Sequence, residues 1–82
     1  MLIIKVCSAQ KESYWYRGMI GKECEAEAIG RDFSLVNTEN NRKILPEYLV
    51  SRLEQEGVWL TISSEDCKVI GGVTTHREIA NQ

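Results

Sequence analysis

The chain lacks any long hydrophobic run, since its longest unbroken apolar stretch is Met1–Ile4. A transmembrane helix needs about 20 consecutive apolar residues, and the core of a signal peptide needs about 7–15. The sequence contains neither. We therefore expect no membrane partner and a cytoplasmic location.

Histidine and paired cysteines are also scarce, with one His and three Cys that show no C-x-x-C spacing. An odd cysteine number without such pairs predicts reduced thiols rather than a disulfide framework. Cys7, Cys24, Cys67 and His76 have the composition of a Cys3His zinc site. Structural zinc sites, however, usually draw two ligands from one turn, which none of these residues does. Because no nucleophile lies beside a base either, the sequence predicts no metal, no cofactor and no enzyme activity.

An excess of positive charge is missing as well. Ten Lys and Arg against twelve Asp and Glu give a net charge of −2, which does not favour a general binder of phosphate backbones. The charge is uneven. Residues 1–45 carry seven basic and six acidic side chains, and residues 46–82 carry three basic and six acidic ones. A modest basic face is compatible with this distribution but not required by it.

The length of 82 residues predicts one domain, because a chain this short supports a single small core. We find no internal repeat and no low-complexity tract. The last ten residues are polar with few apolar anchors. We expect a single β domain over residues 1–72 and a polar C-terminal tail over residues 73–82.

The clearest period-two pattern in the sequence is Glu23–Ile29, which predicts a half-buried central strand. One face of this strand would carry Cys24, Ala26 and Ala28, and the other face three glutamates. The small residues leave room for bulky side chains to pack across from them. Trp15, Ile20, Phe33 and Leu35 are the nearest candidates.

The other segments also indicate a mainly β fold. Further short strands are predicted by β-branched or aromatic residues between turn formers, at Leu2–Cys7, Tyr14–Arg17, Phe33–Asn37, Lys43–Leu45, Val58–Ile62 and Cys67–Ile70. Asn37–Arg42 is rich in turn formers and predicts a hairpin tip. Pro46–Glu56 predicts either a short helix, which we favour, or one helical turn followed by a strand. The expected fold is a small barrel or rolled antiparallel sheet of five to six short strands, with one short helix or helical turn near residues 46–56.

Three sequence segments carry a family resemblance: Trp15-Tyr16, Ile20-Gly21-Lys22 and Ile44-Leu45-Pro46-Glu47-Tyr48-Leu49. Together with a strand at the N-terminus, their order resembles the small SH3-like barrel proteins of phages and bacteria. The resemblance covers roughly the first 50 residues and implies an SH3-like barrel. It does not extend to proline-rich peptide recognition, because the aromatic motif of eukaryotic SH3 domains is missing.

Half of the aromatic residues are consecutive, at Tyr14-Trp15-Tyr16. On an alternating strand, either Trp15 faces the core and both tyrosines face outward, or the reverse. Because Trp, Tyr and Arg are enriched at the centres of protein interfaces, we expect Tyr14, Tyr16, Arg17 and Tyr48 to bind a partner. A half-buried barrel rim explains the cluster about as well.

Three functions remain open on these grounds. The favoured one is a non-catalytic protein-binding module, such as a phage-type accessory or inhibitor protein acting on a host protein. The alternatives are a nucleic-acid-binding small barrel and a small-ligand binder formed by oligomerisation, which leaves a homo-oligomer open. The sequence does not identify the partner.

Overall fold

The computed structural model describes residues 1–72 of the chain. Five antiparallel strands form one sheet: β1 (Leu2–Val6), β2 (Glu23–Ile29), β3 (Asp32–Leu35), β4 (Thr61–Ser63) and β5 (Cys67–Gly72). Their order across the sheet is β4-β3-β2-β1-β5. The prediction of a mainly β fold is confirmed, whereas the predicted tail over residues 73–82 lies outside the described residues.

The central strand lies where its pattern predicts, because β2 has the predicted bounds and pairs with β1 on one side and β3 on the other. Its small residues Cys24 and Ala26 are buried under the core side chains. Ala28 is exposed, so the buried face of the strand ends at Ala26, two residues earlier than predicted. The C-terminal end of β2 therefore extends beyond the buried core.

Two short helices follow β3, where the sequence predicted one. Helix α2 (Glu47–Glu54) confirms the fuller helix, with Leu49 and Leu53 buried four residues apart on one face. Helix α1 (Glu39–Ile44) corrects the hairpin tip and the strand predicted at Lys43–Leu45. The polar run forms a helix because the Thr38 side chain accepts a hydrogen bond from the Asn41 backbone N–H at 3.2 Å, which caps the first turn.

The aromatic segment is not a strand. Trp15–Met19 forms a first 3₁₀ helix, which corrects the strand predicted at Tyr14–Arg17. A 3₁₀ helix has three residues per turn, so Tyr16 and Met19 lie on the same side, and both are buried. The burial of two large side chains three residues apart explains why this segment is helical.

The two C-terminal strands lie further along the chain than predicted, since β4 begins at Thr61 and β5 continues to Gly72. Trp59 is exposed and the backbone N–H of Val58 bonds back to Gln55, so the strand predicted at Val58–Ile62 is limited to β4. A second 3₁₀ helix (Ser64–Asp66) then leads directly into β5. Within β5, Ile70 has no partner on β1 and the register shifts there. Such an irregularity protects an edge strand from pairing with other chains.

The core lies between the sheet, the two α-helices and the first 3₁₀ helix. Its buried apolar side chains come from β1 to β4, the first 3₁₀ helix, α2 and the segments between these elements: Ile4, Val6, Ala9, Tyr16, Met19, Cys24, Ala26, Leu35, Leu45, Leu49, Leu53, Leu60 and Ile62. Two polar side chains, Asn41 and Asp66, are also buried. Both are fully hydrogen-bonded, as burial requires.

Candidate functional site

An apolar groove of about 390 Å³ separates the first 3₁₀ helix from the corner between α1 and α2. We call this surface the corner groove. Its lining comes from three segments that are distant in the sequence: Trp15, Gly18, Met19, Lys22, Ile44, Leu45, Pro46, Tyr48 and Leu49. All of them except Gly18 and Lys22 present an apolar or aromatic side chain.

The first 3₁₀ helix supplies one wall because of its threefold period. Trp15 and Gly18 are three residues apart and therefore lie on the same side of the helix, towards the groove. Gly18 makes that wall shallow, since a Cβ atom placed on it would meet no other atom within 4 Å. The groove thus exists partly because residue 18 has no side chain.

Trp15 is held in a fixed orientation. Its indole Nε1–H donates a hydrogen bond of 2.8 Å to the backbone carbonyl of Thr61 on β4. The ring also contacts Tyr16 edge-on, with ring centroids 5.5 Å apart and planes at 84°. A half-buried Trp with its polar atom already bonded offers a rigid apolar surface to a ligand.

Tyr48 forms the opposite rim. It lies in the first turn of α2, where Pro46 directs the chain into the helix and Leu49 anchors it in the core. The Tyr48 side chain is 64% exposed. An aromatic ring held this openly beside an apolar groove can close over a bound group at little conformational cost.

Among residues 1–72, Lys22 is the only charged residue that lines the groove. Its backbone is fixed on both sides, because its N–H donates to Met19 and its carbonyl accepts from Val6. Within residues 1–72 the single ion pair is Glu39–Lys43, so no described carboxylate pairs with the Lys22 ammonium group. Within the described part of the chain, a lysine without a paired carboxylate therefore lines an apolar surface.

Of the four side chains predicted to bind a partner, only Tyr48 lines the corner groove. Tyr16 is buried, which removes it from the surface contact predicted for it. Tyr14 is half-buried, stacks at 5.3 Å on Tyr16 and lines a separate depression. Arg17 is exposed, and its guanidinium donates to the carbonyl of Ala9 at 3.1 Å. The sequence allowed two orientations of the aromatic cluster. The one with Tyr16 facing the core and Trp15 nearer the surface is thus closer to the structure.

Sequence reasoning missed Trp15, Gly18 and Lys22 as groove residues. A signal was present, because the segments that carry the family resemblance include Trp15, Lys22 and the run from Ile44 to Leu49. These segments meet in the groove. Their order along the chain did not reveal that they converge.

The buried carboxylate of Asp66 supports the first 3₁₀ helix from below. It accepts hydrogen bonds from the Tyr16 hydroxyl and, at 2.7 Å, from the Ser8 hydroxyl, and a weaker one from the Gln10 N–H at 3.4 Å. The bond from Tyr16 is the main reason that the pKa of Asp66 is lowered, and the loss of hydration on burial opposes it. Burial, together with Asp66, raises the pKa of Tyr16. Asp66 thus anchors the first 3₁₀ helix to the rest of the domain.

The cysteines differ in their surroundings. Cys7 is exposed, Cys67 is half-buried and Cys24 is buried. Burial raises the pKa of Cys24 to about 11, and burial is also the main cause of the raised pKa of Cys67. In the part of the chain that the structure describes, no three His, Cys, Asp or Glu residues lie close enough to hold a metal ion. His76 lies outside that part.

A second depression of about 370 Å³ lies beside Trp59, which is 65% exposed. Its lining includes the polar side chains of Glu27 and Ser34 beside Leu53 and Val58. Trp59 and Tyr48 are thus equally exposed aromatic residues on different surfaces. Trp59 therefore serves as a matched control for Tyr48.

Comparison of the chain with protein-family models, with curated proteins and with solved structures found no match. Neither helix among residues 1–72 has the length and apolar character needed to span a bilayer. The site geometry is therefore the basis for inferring function.

Proposed function

We propose that this protein is a non-catalytic protein-binding module that contacts its partner through the corner groove. The observation that carries the proposal is the pairing of a rigid, half-buried Trp15 with an open Tyr48 across an apolar surface. Interface hot spots are enriched in Trp and Tyr that flank well-packed apolar pockets. An accessory or inhibitory role fits a module that acts by occupying the surface of another protein.

We further propose that the sheet closes as an SH3-like barrel. The support comes from its connections. β4 and β5 lie at opposite ends of the strand order, and only the three residues Ser64–Asp66 join them. In a flat sheet, four strand spacings would separate them by about 19 Å. Three residues of 3₁₀ helix rise only about 6 Å. A sheet that meets both constraints has to curl until its outer strands approach each other.

The proposal is tested by photo-crosslinking at two matched positions. A photoreactive phenylalanine analogue replaces Tyr48 in one variant and Trp59 in the other, and each is exposed to native lysate. The expected result is a crosslink to one protein, formed from position 48 and not from position 59. That crosslink should persist after nuclease treatment and at high salt, because an apolar contact is not screened by ions.

Gly18→Leu provides an independent test. The new side chain fits without a clash on its own backbone, because the Cβ position is free, and it fills the groove. We expect it to abolish the crosslink while the thermal unfolding midpoint stays within a few degrees of wild type. Equal crosslinking from positions 48 and 59, or undiminished capture by Gly18→Leu, would exclude the groove as the contact. Capture that collapses with salt or nuclease would shift the function to nucleic-acid binding.

A further inference from the structure

We propose that the corner groove selects an acidic peptide segment: a bulky apolar side chain of the partner enters the groove, and a neighbouring carboxylate pairs with Lys22. This inference rests on the proposed function and specifies the chemistry of the partner. It follows from the composition of the groove lining and from the position of its one charge.

The apolar part of the ligand follows from the lining. Met19, Ile44 and Leu49 offer no hydrogen-bonding side-chain atoms, and the one on Trp15 is already bonded to Thr61. A polar side chain placed against these four residues would lose its hydration without gaining a hydrogen bond from their side chains. A large aliphatic or aromatic side chain instead gains by leaving water.

The acidic part follows from Lys22. Its backbone is fixed by two hydrogen bonds at the turn after the first 3₁₀ helix, so its side chain always starts from the same point at the groove edge. None of the carboxylates of residues 1–72 lies within ion-pairing distance of it. Two other cationic residues, Arg17 and Lys43, are sequence neighbours of residues that line the groove. Neither of them lines it, and Lys43 is paired with Glu39.

Acidic neighbours limit where the carboxylate can lie. Glu23 follows Lys22 and points to the exposed side of β2, and Glu47 precedes Tyr48 on α2. Neither lines the groove. A ligand carboxylate near Glu47 would be repelled, whereas one at the Lys22 edge would be attracted. The ligand is therefore oriented, with its acidic residue towards Lys22 and away from α2.

A nucleic acid fits this surface less well. Single-strand binders combine stacking aromatic residues with a row of cations along the phosphates. The corner groove provides one lysine, on a chain with a net charge of −2. One carboxylate beside an apolar residue matches one lysine beside an apolar groove.

The test is selection of a phage-displayed library of random dodecapeptides on the immobilised full chain. We expect the enriched peptides to combine a large apolar residue with Asp or Glu within three positions of it. Selection on Lys22→Glu should replace these acids with Lys or Arg, because the variant reverses the only charge in the lining. Arg31→Glu, in the exposed turn at the opposite end of β2 from Lys22, is the control and should select the same peptides as wild type.

Binding of one selected peptide is then measured by fluorescence anisotropy. An exposed ion pair changes affinity by about two- to fivefold, so Lys22→Ala should weaken binding by that factor and Tyr48→Ala by more. Replacing the peptide's acid with its amide should weaken wild-type binding equally and leave Lys22→Ala unaffected.

The outcomes separate the two proposals. Enriched peptides that need Tyr48 but show no acidic preference would overturn the acidic ligand and leave the protein-binding function standing. No enrichment at all, or binding unchanged by Tyr48→Ala, would overturn both. Tighter binding of a labelled oligothymidylate than of any selected peptide would overturn both in favour of nucleic acid.

Discussion

Replacing Asn41 with Ala should destabilise the domain more than any other polar substitution on α1. Beyond the end of β3, the Asn41 side-chain amide hydrogen-bonds to the backbone of β2 as a further strand residue would. Its Nδ2 donates to the carbonyls of Glu25 and Val36, both at 2.7 Å, and its Oδ1 accepts from the Glu25 N–H at 3.0 Å. Alanine removes all three bonds.

The magnitude depends on which groups lose their last partner. The Glu25 carbonyl still accepts from the Val36 N–H, and the Val36 carbonyl still accepts from the Thr38 N–H. The Glu25 N–H loses its only partner among the described residues. A net loss of about 0.5–1.5 kcal/mol per bond, with one donor left unpaired, gives a total of about 2–4 kcal/mol. That is a large share of the roughly 4–12 kcal/mol expected for a domain of this size.

The assay is urea unfolding followed by tryptophan fluorescence and circular dichroism. Asn40→Ala is the matched control, because Asn40 is exposed on the same helix and alanine favours helices. It should leave the free energy of unfolding within about 0.5 kcal/mol of wild type. Asn41→Asp should be worse than Asn41→Ala at pH 7, because its carboxylate would face two carbonyl oxygens. If Asn41→Ala and Asn40→Ala unfold at the same urea concentration, the role assigned to the buried amide is wrong.

The remaining predictions concern the buried hydrogen bonds of Asp66 and the reactivity of the thiols. Because the pKa of Asp66 is lowered by folding, the stability it contributes is complete above the unfolded pKa of about 3.9 and is lost as the pH falls below it. The stability advantage of wild type over Asp66→Asn should therefore shrink between pH 5 and about pH 2, as urea midpoints would show, and a constant difference would contradict this. Tyr16→Phe should lower the free energy of unfolding by about 1.5–3 kcal/mol, since it removes a hydrogen bond to a charged group, and a smaller loss in urea unfolding would show that the bond is weak. A disulfide-exchange reagent at pH 8 should label Cys7 rapidly and Cys24 only after unfolding, and rapid labelling of all three thiols in the native protein would contradict the burial of Cys24.

Strand β2 and helix α2 were predictable because their patterns are local. In β2 a small or apolar residue alternates with glutamate, and the backbone converts that alternation into two faces. In α2, leucines four residues apart after a proline specify one buried helix face. In both elements, the residues that define the pattern also make the packing contacts.

Helix α1 was not predictable in the same way. Of its six residues, Glu39–Ile44, only Asn40 and Asn41 favour turns, but they lie in the turn-rich run from Asn37 to Arg42, and composition does not distinguish an exposed Asn from a buried one. What makes the segment helical is a capping bond from Thr38 and the pairing of the Asn41 amide with β2, 16 residues earlier in the chain. A tertiary contact therefore decides the local structure.

The candidate site depended on one geometric assumption. On a strand, Tyr14 and Tyr16 share a face opposite Trp15, which makes a tyrosine pair the natural choice for a binding surface. In the 3₁₀ helix, Tyr16 instead pairs with Met19 towards the core, and Trp15 pairs with Gly18 towards the groove. The change of period from two to three exchanges the roles of the aromatic residues.

The 3₁₀ conformation of this segment also links the buried hydrogen bonds of Asp66 to the corner groove. The Tyr16 hydroxyl bonds to Asp66 and the indole N–H of its neighbour Trp15 bonds to the Thr61 carbonyl, so adjacent residues attach the 3₁₀ helix to β4 and to the segment that follows β4. A shift of this helix would break both bonds and move Trp15 and Gly18 together. We therefore expect the corner groove to keep its shape only while the Asp66 network is intact. It follows that Tyr16, although buried and unable to touch a partner, should affect partner binding through the position of Trp15.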